Sequence, residues 1–592
     1  MISAIARTAA AALVILTGLS SFAQDVLPHG MAPQERALIP AYRDSRPLLG
    51  RGISSPPPFP VRTMAEWEEV ESLVIAWTGF PGILKQIVRY ALDECRVIIT
   101  CDDQAEVEAF LGNDQFGGPI GDLSGVTFLV ADFNSIWARD YFAENIYANE
   151  VDSLLLLDWI YNRPRPADDV LSDVIGAAEG IAVYSTTTAP YDLVHTGGNF
   201  MSDGAGTAFS SELVLEENGP NGEFNQTVRD EAGVDAIMQQ FMGIDNYIKM
   251  TALPFDGINH IDMHMKLLDE ETLLVGEFPV GVSDGPQLEL NLEGIMAEEV
   301  SVYGDPFEFV RIPMPSSTSG NHPPNASYRT FTNSVFINGT VLVPTYRTEY
   351  DTIGLRILNE QLPGYRIIGI DCDSEQNIIA QSGAIHCITK TIGVRDPLLI
   401  RHQPLDDTQN TSTPYPVEAY IRHRTGIATA TVFWSIAPDG PFLEAPMAPA
   451  GDGIWQAAIP AQAAGTFVYY YIHAEAISGK EQVRPIVAPD GYWSFRVSGL
   501  PTGVAEREVL RITEVFPNPA SAVVSIGVAA PCCAPVQVEL LDAVGRSVRV
   551  AYNGPAPSDG RIFIDVADLP AAPYLVVLTS SEGRTVAPMV KH

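Results

Sequence analysis

Between about residue 141 and residue 370 the chain repeats a short programme: a hairpin pattern, a helical pattern, then a strand. Asn333-Ser334-Val335-Phe336-Ile337 and Thr340-Val341-Leu342-Val343 flank Asn338-Gly339, a dipeptide suited to a two-residue hairpin turn because both positions tolerate positive φ. A helical pattern over about 350–361 and the strand Arg366-Ile367-Ile368-Gly369-Ile370 follow it. A hairpin turning at Asp203-Gly204-Ala205-Gly206 precedes a helix near 226–242 and a strand at 247–250. Another, beginning near Tyr141, precedes a helix near 167–178 and a strand at 181–184, and a further hairpin runs over 263–278. Units of roughly 60–70 residues that cannot each bury their own apolar face must stack on copies of themselves, which points to a radial, propeller-like α/β array. A plain doubly wound sheet does not account for the hairpins.

The repeat cannot be the whole protein, because 592 residues exceed what one core organises. Residues 1–23 read as a signal peptide: Arg7 precedes an apolar run from Ala9 to Leu19, and Ser21-Phe22-Ala23 offers a small-residue cleavage site. That run is too short to span a bilayer, and no later stretch reaches a transmembrane length. Residues 24–60 lack periodicity and read as an extended arm. The α/β region is assigned to 61–400. Over 410–500, short alternating strands such as Thr431-Val432-Phe433-Trp434 and Phe467-Val468-Tyr469-Tyr470-Tyr471 read as a β-sandwich. A second all-β domain spans 510–592. A net charge of −38 disfavours nucleic acid as a partner; an acidic surface would instead concentrate cationic substrates or basic polypeptides, or simply keep the chain soluble. Six scattered cysteines, two of them vicinal at Cys532-Cys533, make no dense disulfide framework.

Chemistry-bearing residues fall at one place in the repeat. Asp140, Asn199, His260 with Asp262, Asn333 and Cys387 each lie at or just before the first strand of a unit. In a radial array those positions converge on the axis and line one pocket. His260 and Asp262, two apart, are expected on one face of a strand, where the carboxylate would raise the proton affinity of the imidazole. Two carboxylates, an imidazole and a thiol suit a guanidinium, whose planar fork carboxylates match in pairs.

Trp137-Ala138-Arg139-Asp140, Gly197-Gly198-Asn199, His260-x-Asp262, Asn333-Ser334 and Gly383-Ala384-Ile385-His386-Cys387 together resemble the guanidino-group-modifying superfamily. Within it the chain resembles the secreted bacterial peptidylarginine deiminases of the Porphyromonas type, over roughly residues 60–400. The resemblance implies a five-bladed α/β propeller of ββαβ-type repeats, followed by an immunoglobulin-like domain. It also implies catalysis by Cys387, His260, Asp140, Asp262 and Asn333. Cys387 would attack the guanidinium carbon, Asp140 and Asp262 would grip its nitrogens, and His260 would shuttle the proton. Asn333 would position substrate or thiol. Trp137 joins the substrate-binding set, and Arg163 and Arg165, in Tyr161-Asn162-Arg163-Pro164-Arg165-Pro166, would hold the carboxylate of a peptide ending in arginine. No metal or other cofactor is implied. Phe516-Pro517-Asn518-Pro519 and Asp542-Ala543-Val544-Gly545-Arg546 resemble the sorting domain of the type IX secretion system, implying delivery outside the cell or to the outer-membrane surface. Agmatine or free-arginine deimination, and a non-catalytic surface adhesin, are the competing functions.

Overall fold

The computed structural model describes residues 27–45, 52–498, 510–529, 535–542, 545–557, 560–580 and 583–592. The expected signal peptide and Cys532-Cys533 lie outside them. The chain divides into two compact units, Met1–Val497 and Ser498–His592.

Five small sheets occupy the α/β region. Four share one plan: an antiparallel pair, then a helix, then a third strand parallel to the second. Val335–Ile337, Thr340–Thr345 and Arg366–Asp371 form one, with helix Thr348–Gln361 in the connection. Met265–Leu267, Thr272–Glu277 and Glu308–Pro313 form another, as do Met201–Ser202, Thr207–Ser211 and Asn246–Met250. Glu144–Ala148, Ser153–Tyr161 and Val183–Thr186 form the fourth, with Val61–Thr63 added at its edge. In the fifth, Val70–Ala76, Arg96–Cys101 and Val126–Val130 run parallel, and the antiparallel partner of Val70–Ala76 is Lys390–Gly393. The two ends of the α/β region are thereby joined in one sheet. Central strands such as Leu273-Leu274-Val275 are buried on both faces, which is why they read as unbroken apolar runs.

Two helix boundaries moved for local reasons. The helix expected from 226 is Glu231–Met242, because the Asp230 carboxylate accepts the Gly233 N–H and caps it there; Gly243, at φ +68°, ends it. The helix expected over 167–178 is split into Pro166–Asp169 and Leu171–Glu179. At the split, Asp168 accepts from the N–H groups of Asn134 and Ser135, and Asp169 from that of Tyr161.

The arm departs most from expectation. It is not extended throughout, since Glu35–Leu38 is a 3₁₀ turn and Ile39–Ser45 a helix. Tyr42, with Met31 beside it, packs into a small cluster with Ile160, Val194 and Phe224. The sandwich also starts earlier than read, because Leu399–Arg401 pairs with Tyr415–Arg422 in its first sheet. Strand Thr466–Ala476 alternates strictly, burying Val468, Tyr470, Ile472 and Ala474. In the second unit, the side chain of Asn518 from the Phe-Pro-Asn-Pro motif donates to Pro588 O and accepts from Val590 N, fixing the terminal strand Gly583–Lys591. No helix among the described residues is long and apolar enough to cross a membrane.

Candidate active site

The expected positions before the opening strands hold, but the local conformation is helical rather than extended. Asp140 lies in the short helix Ala138–Tyr141, Asp262 in the 3₁₀ turn Ile261–Met263, and Cys387 in the 3₁₀ turn His386–Ile388. His260 and Asp262 therefore do not share a strand face, and their partners differ. His260 Nδ1 lies 3.7 Å from Asp140 Oδ1, whereas Asp262 Oδ2 faces His386 Nδ1 at 2.8 Å. Burial drives the His260 imidazole down to about 4, against the opposing pull of Asp140. Asp262 does pull its proton affinity upward as expected, but burial outweighs that pull.

Cys387 is buried and unpaired. Its Sγ accepts from Asn333 Nδ2 at 3.0 Å and stands 3.6 Å from Asp262 Oδ2. Asn333 Oδ1 accepts the backbone N–H groups of His386 at 3.0 Å and of Cys387 at 3.4 Å. Asn333 thus holds the thiol and the turn that carries it. Burial pushes the Cys387 thiol well above its ordinary range, and the Asp262 and Asp140 carboxylates push it further. Asp140 itself is held below the usual carboxylate range: burial opposes ionisation, but His29 and His260 together outweigh it. Asp262 is also lowered, its burial outweighed by the His386 hydrogen bond.

Two glycines make this packing possible. A Cβ on Gly198 would lie 2.5 Å from His260 Nδ1 and 3.0 Å from Asp140 Oδ1, and one on Gly383 would lie 2.3 Å from Trp137 Cζ3. The Ser-Gly-Ala run before Cys387 serves close packing against the indole ring. Gly198→Ala is expected to destabilise the chain by about 1–3 kcal/mol, the usual range for overpacking, visible as a lower melting temperature by calorimetry. Asn199 behaves differently from its counterparts in the other units: its side-chain oxygen accepts from Ser211 N, tying its turn to the neighbouring strand.

Arg163 and Arg165 are buried and face the arm. Arg163 Nε donates to His29 O at 3.2 Å. Arg165 makes a two-pronged pair with Glu35, at 2.8 Å and 3.1 Å, and donates to Pro28 O at 2.7 Å. His29 lies within the site. Its ring stacks on Trp137 at 4.2 Å and 15°, with Nε2 2.7 Å from Asp140 Oδ2 and Nδ1 2.8 Å from Ser382 O.

Four participants were not singled out from the sequence. His386 bridges Asp262 and Glu66, with Nε2 2.5 Å from Glu66 Oε1. Glu66 also binds Lys266 and Arg139, and despite its burial these cations with His386 hold it well below the usual range. The adjacency of His386 to Cys387 was a usable signal. His29, Glu35 and Glu66 carried none, because they sit in aperiodic sequence. One atom each from His29, Asp140 and His260 lie within 4.8 Å of one another, a possible metal triad, although the His29–Asp140 hydrogen bond already accounts for two of them.

A family model for Porphyromonas-type peptidyl-arginine deiminases matches residues 60–392, and one for the secretion system C-terminal sorting domain matches 514–592. The latter marks the chain for secretion or surface attachment by the type IX route. A protein described as a candidate agmatine deiminase from Vibrio parahaemolyticus is 24% identical over 45% of this chain and 78% of its own length. A crystal structure described as a candidate agmatine deiminase aligns with TM-score 0.50 at 16% identity, covering 58% of this chain and all of the other. A candidate arginine deiminase from Porphyromonas gingivalis aligns with TM-score 0.49 at 21% identity, covering 56% of this chain and 98% of the other. The α/β region thus has the mixed α/β fold of the agmatine deiminases.

Proposed function

Because the chain belongs to the Porphyromonas-type peptidyl-arginine deiminase family, we propose that it hydrolyses C-terminal arginine of peptides and proteins to peptidyl-citrulline and ammonia through a covalent adduct on Cys387. The observation that carries this reading is the pairing of a thiol and two carboxylates with two buried arginines at one site. Asp140 Oδ1 and Asp262 Oδ1 are buried without a hydrogen-bond partner, so two acceptors remain for the N–H groups of a guanidinium. The five sheets are read as the five blades of a radial propeller, with the turns before their first strands converging on its axis.

The chemistry follows from the charges. The same carboxylates that keep the thiol protonated bind the substrate cation, and once it is seated their charge no longer opposes the thiolate. His260, neutral near pH 7, takes the thiol proton as Sγ attacks the guanidinium carbon and forms the C–S bond. The tetrahedral adduct collapses by breaking a C–N bond, and His260 returns the proton to the departing ammonia. Water then attacks the same carbon, giving its proton to His260, and the C–S bond breaks to release citrulline. Asn333 and His386 are positioning residues, the first for the sulfur and the second for Asp262.

Incubating the protein with an arginine-terminated peptide should yield citrulline. Turnover of agmatine or free arginine with none of the peptide would make it a small-molecule deiminase instead. Arg163→Ala and Arg165→Ala should each raise the ratio of KM for that peptide to KM for its C-terminal amide about 10–100-fold, the worth of a charge-assisted hydrogen bond.

A further inference from the structure

The geometry points to residues 27–45 as a built-in pseudosubstrate that keeps this site closed until it is displaced. The inference rests on the reading of the site as the place where a guanidinium binds, and it adds a regulated state to that reading.

Three contacts place the segment as a substrate would lie. The His29 ring is fully buried, flat against Trp137 and end-on to Asp140. Both its nitrogens face oxygen atoms, Nε2 that of Asp140 and Nδ1 that of Ser382, so a flat ring offers polar atoms at both ends. That is the chemistry of a guanidinium in reduced form. The main-chain carbonyl of the same residue is held by Arg163, where the carboxylate of a terminal arginine would fall. Six residues on, the Glu35 carboxylate fills the fork of Arg165.

The rest of the segment anchors the plug. His29 N donates to Gln381 O, and Trp137 Nε1 donates to Leu27 O. Glu35 also caps its own turn by accepting from Ala32 N, so the carboxylate is fixed from both sides. Arg36 pairs with Glu223, and Tyr42 closes an apolar cluster.

The mimicry is incomplete in a way that favours release. An imidazole reaches one oxygen of Asp140 and leaves Asp140 Oδ1, Asp262 Oδ1 and both nitrogens of His260 buried without hydrogen-bond partners. Orphaned acceptors of this kind carry a desolvation cost that a five-donor guanidinium would remove. The segment therefore blocks the site while binding it less well than the substrate would. Cys387 is fully buried in this docked form, which keeps it away from other electrophiles.

The test uses the full chain and reads Cys387 alkylation by iodoacetamide, followed by mass spectrometry, alongside citrulline release from an arginine-terminated peptide. His29→Ala and Glu35→Gln should each speed alkylation of Cys387 about tenfold or more, as the competent fraction rises. A synthetic peptide of residues 27–45 should slow it again. Cys101 and Cys372, both buried elsewhere, report general loosening and should stay unlabelled. Unchanged labelling of Cys387 in both variants, or a rise shared with Cys101 and Cys372, overturns the proposal. Faster labelling without any citrulline upholds the plug and sinks the deiminase reading, because alkylation needs no arginine chemistry. Glu35→Gln keeps the shape of the segment and lies away from the reacting atoms, so it serves if His29→Ala folds poorly.

Discussion

Cys387→Ala should reduce citrulline formation by about 10⁴-fold or more, the scale seen when a nucleophile is removed from a unit that acts together. No other described side chain can substitute. His260 is a neutral imidazole near pH 7, and the remaining free thiols among the described residues, Cys95, Cys101 and Cys372, lie elsewhere. The fold should survive, because the change removes one small side chain and adds no bulk. Its melting temperature should stay within about 3 °C of the parent by calorimetry, since a small destabilisation moves a chain of this size little. Activity that persists in the variant excludes a covalent adduct on this residue. A surface adhesin would keep its binding function in the same variant.

Asp262→Asn is the second large effect, with an expected loss of about 10³-fold in kcat/KM, the scale of removing one member of a buried charge set. Three connections meet at this carboxylate. Its Oδ2 accepts from His386 and stands 3.6 Å from the Cys387 sulfur, and its Oδ1 is free to receive a guanidinium. The amide keeps the shape but removes the charge. The loss should divide between KM, through weaker cation binding, and kcat, through a His386 left with one carboxylate in place of two. The companion change His386→Gln should lower kcat with less effect on KM, as suits a residue acting through Asp262. If both variants shift only KM, His386 is a packing residue and not an orienting one.

The parts of this site that sequence could disclose are those that local chemistry fixes. Asn338-Gly339 and Asp203-Gly204 declare hairpins because few residues accept positive φ, and each hairpin dates the start of a unit. The polar residues before those hairpins could then be grouped without knowing their neighbours. What stayed hidden depends on distant segments. Glu66 and His386 are far apart in sequence and meet only when Lys390–Gly393 pairs with Val70–Ala76. His29 and Glu35 belong to a stretch without periodicity, where nothing distinguishes a tether from a ligand. The strand expected through His260 and Asp262 failed for a nearby reason: Asn259 takes φ +57° and turns the chain into the 3₁₀ turn Ile261–Met263.

Closure of the fifth sheet has a consequence for the order in which the molecule comes into being. A chain made or threaded from its N-terminus presents Val70–Ala76 early and Lys390–Gly393 only after the other four sheets have been delivered. Cys387 stands in the turn just before that last strand. Cys387 and the final strand therefore arrive together, and the slow, long-range pairing that completes the fifth sheet also sets the thiol beside Asp262 and Asn333. A partly synthesised or still-unfolded chain in transit holds its acids, imidazoles and thiol as separate residues. The site is assembled only when the fifth sheet closes.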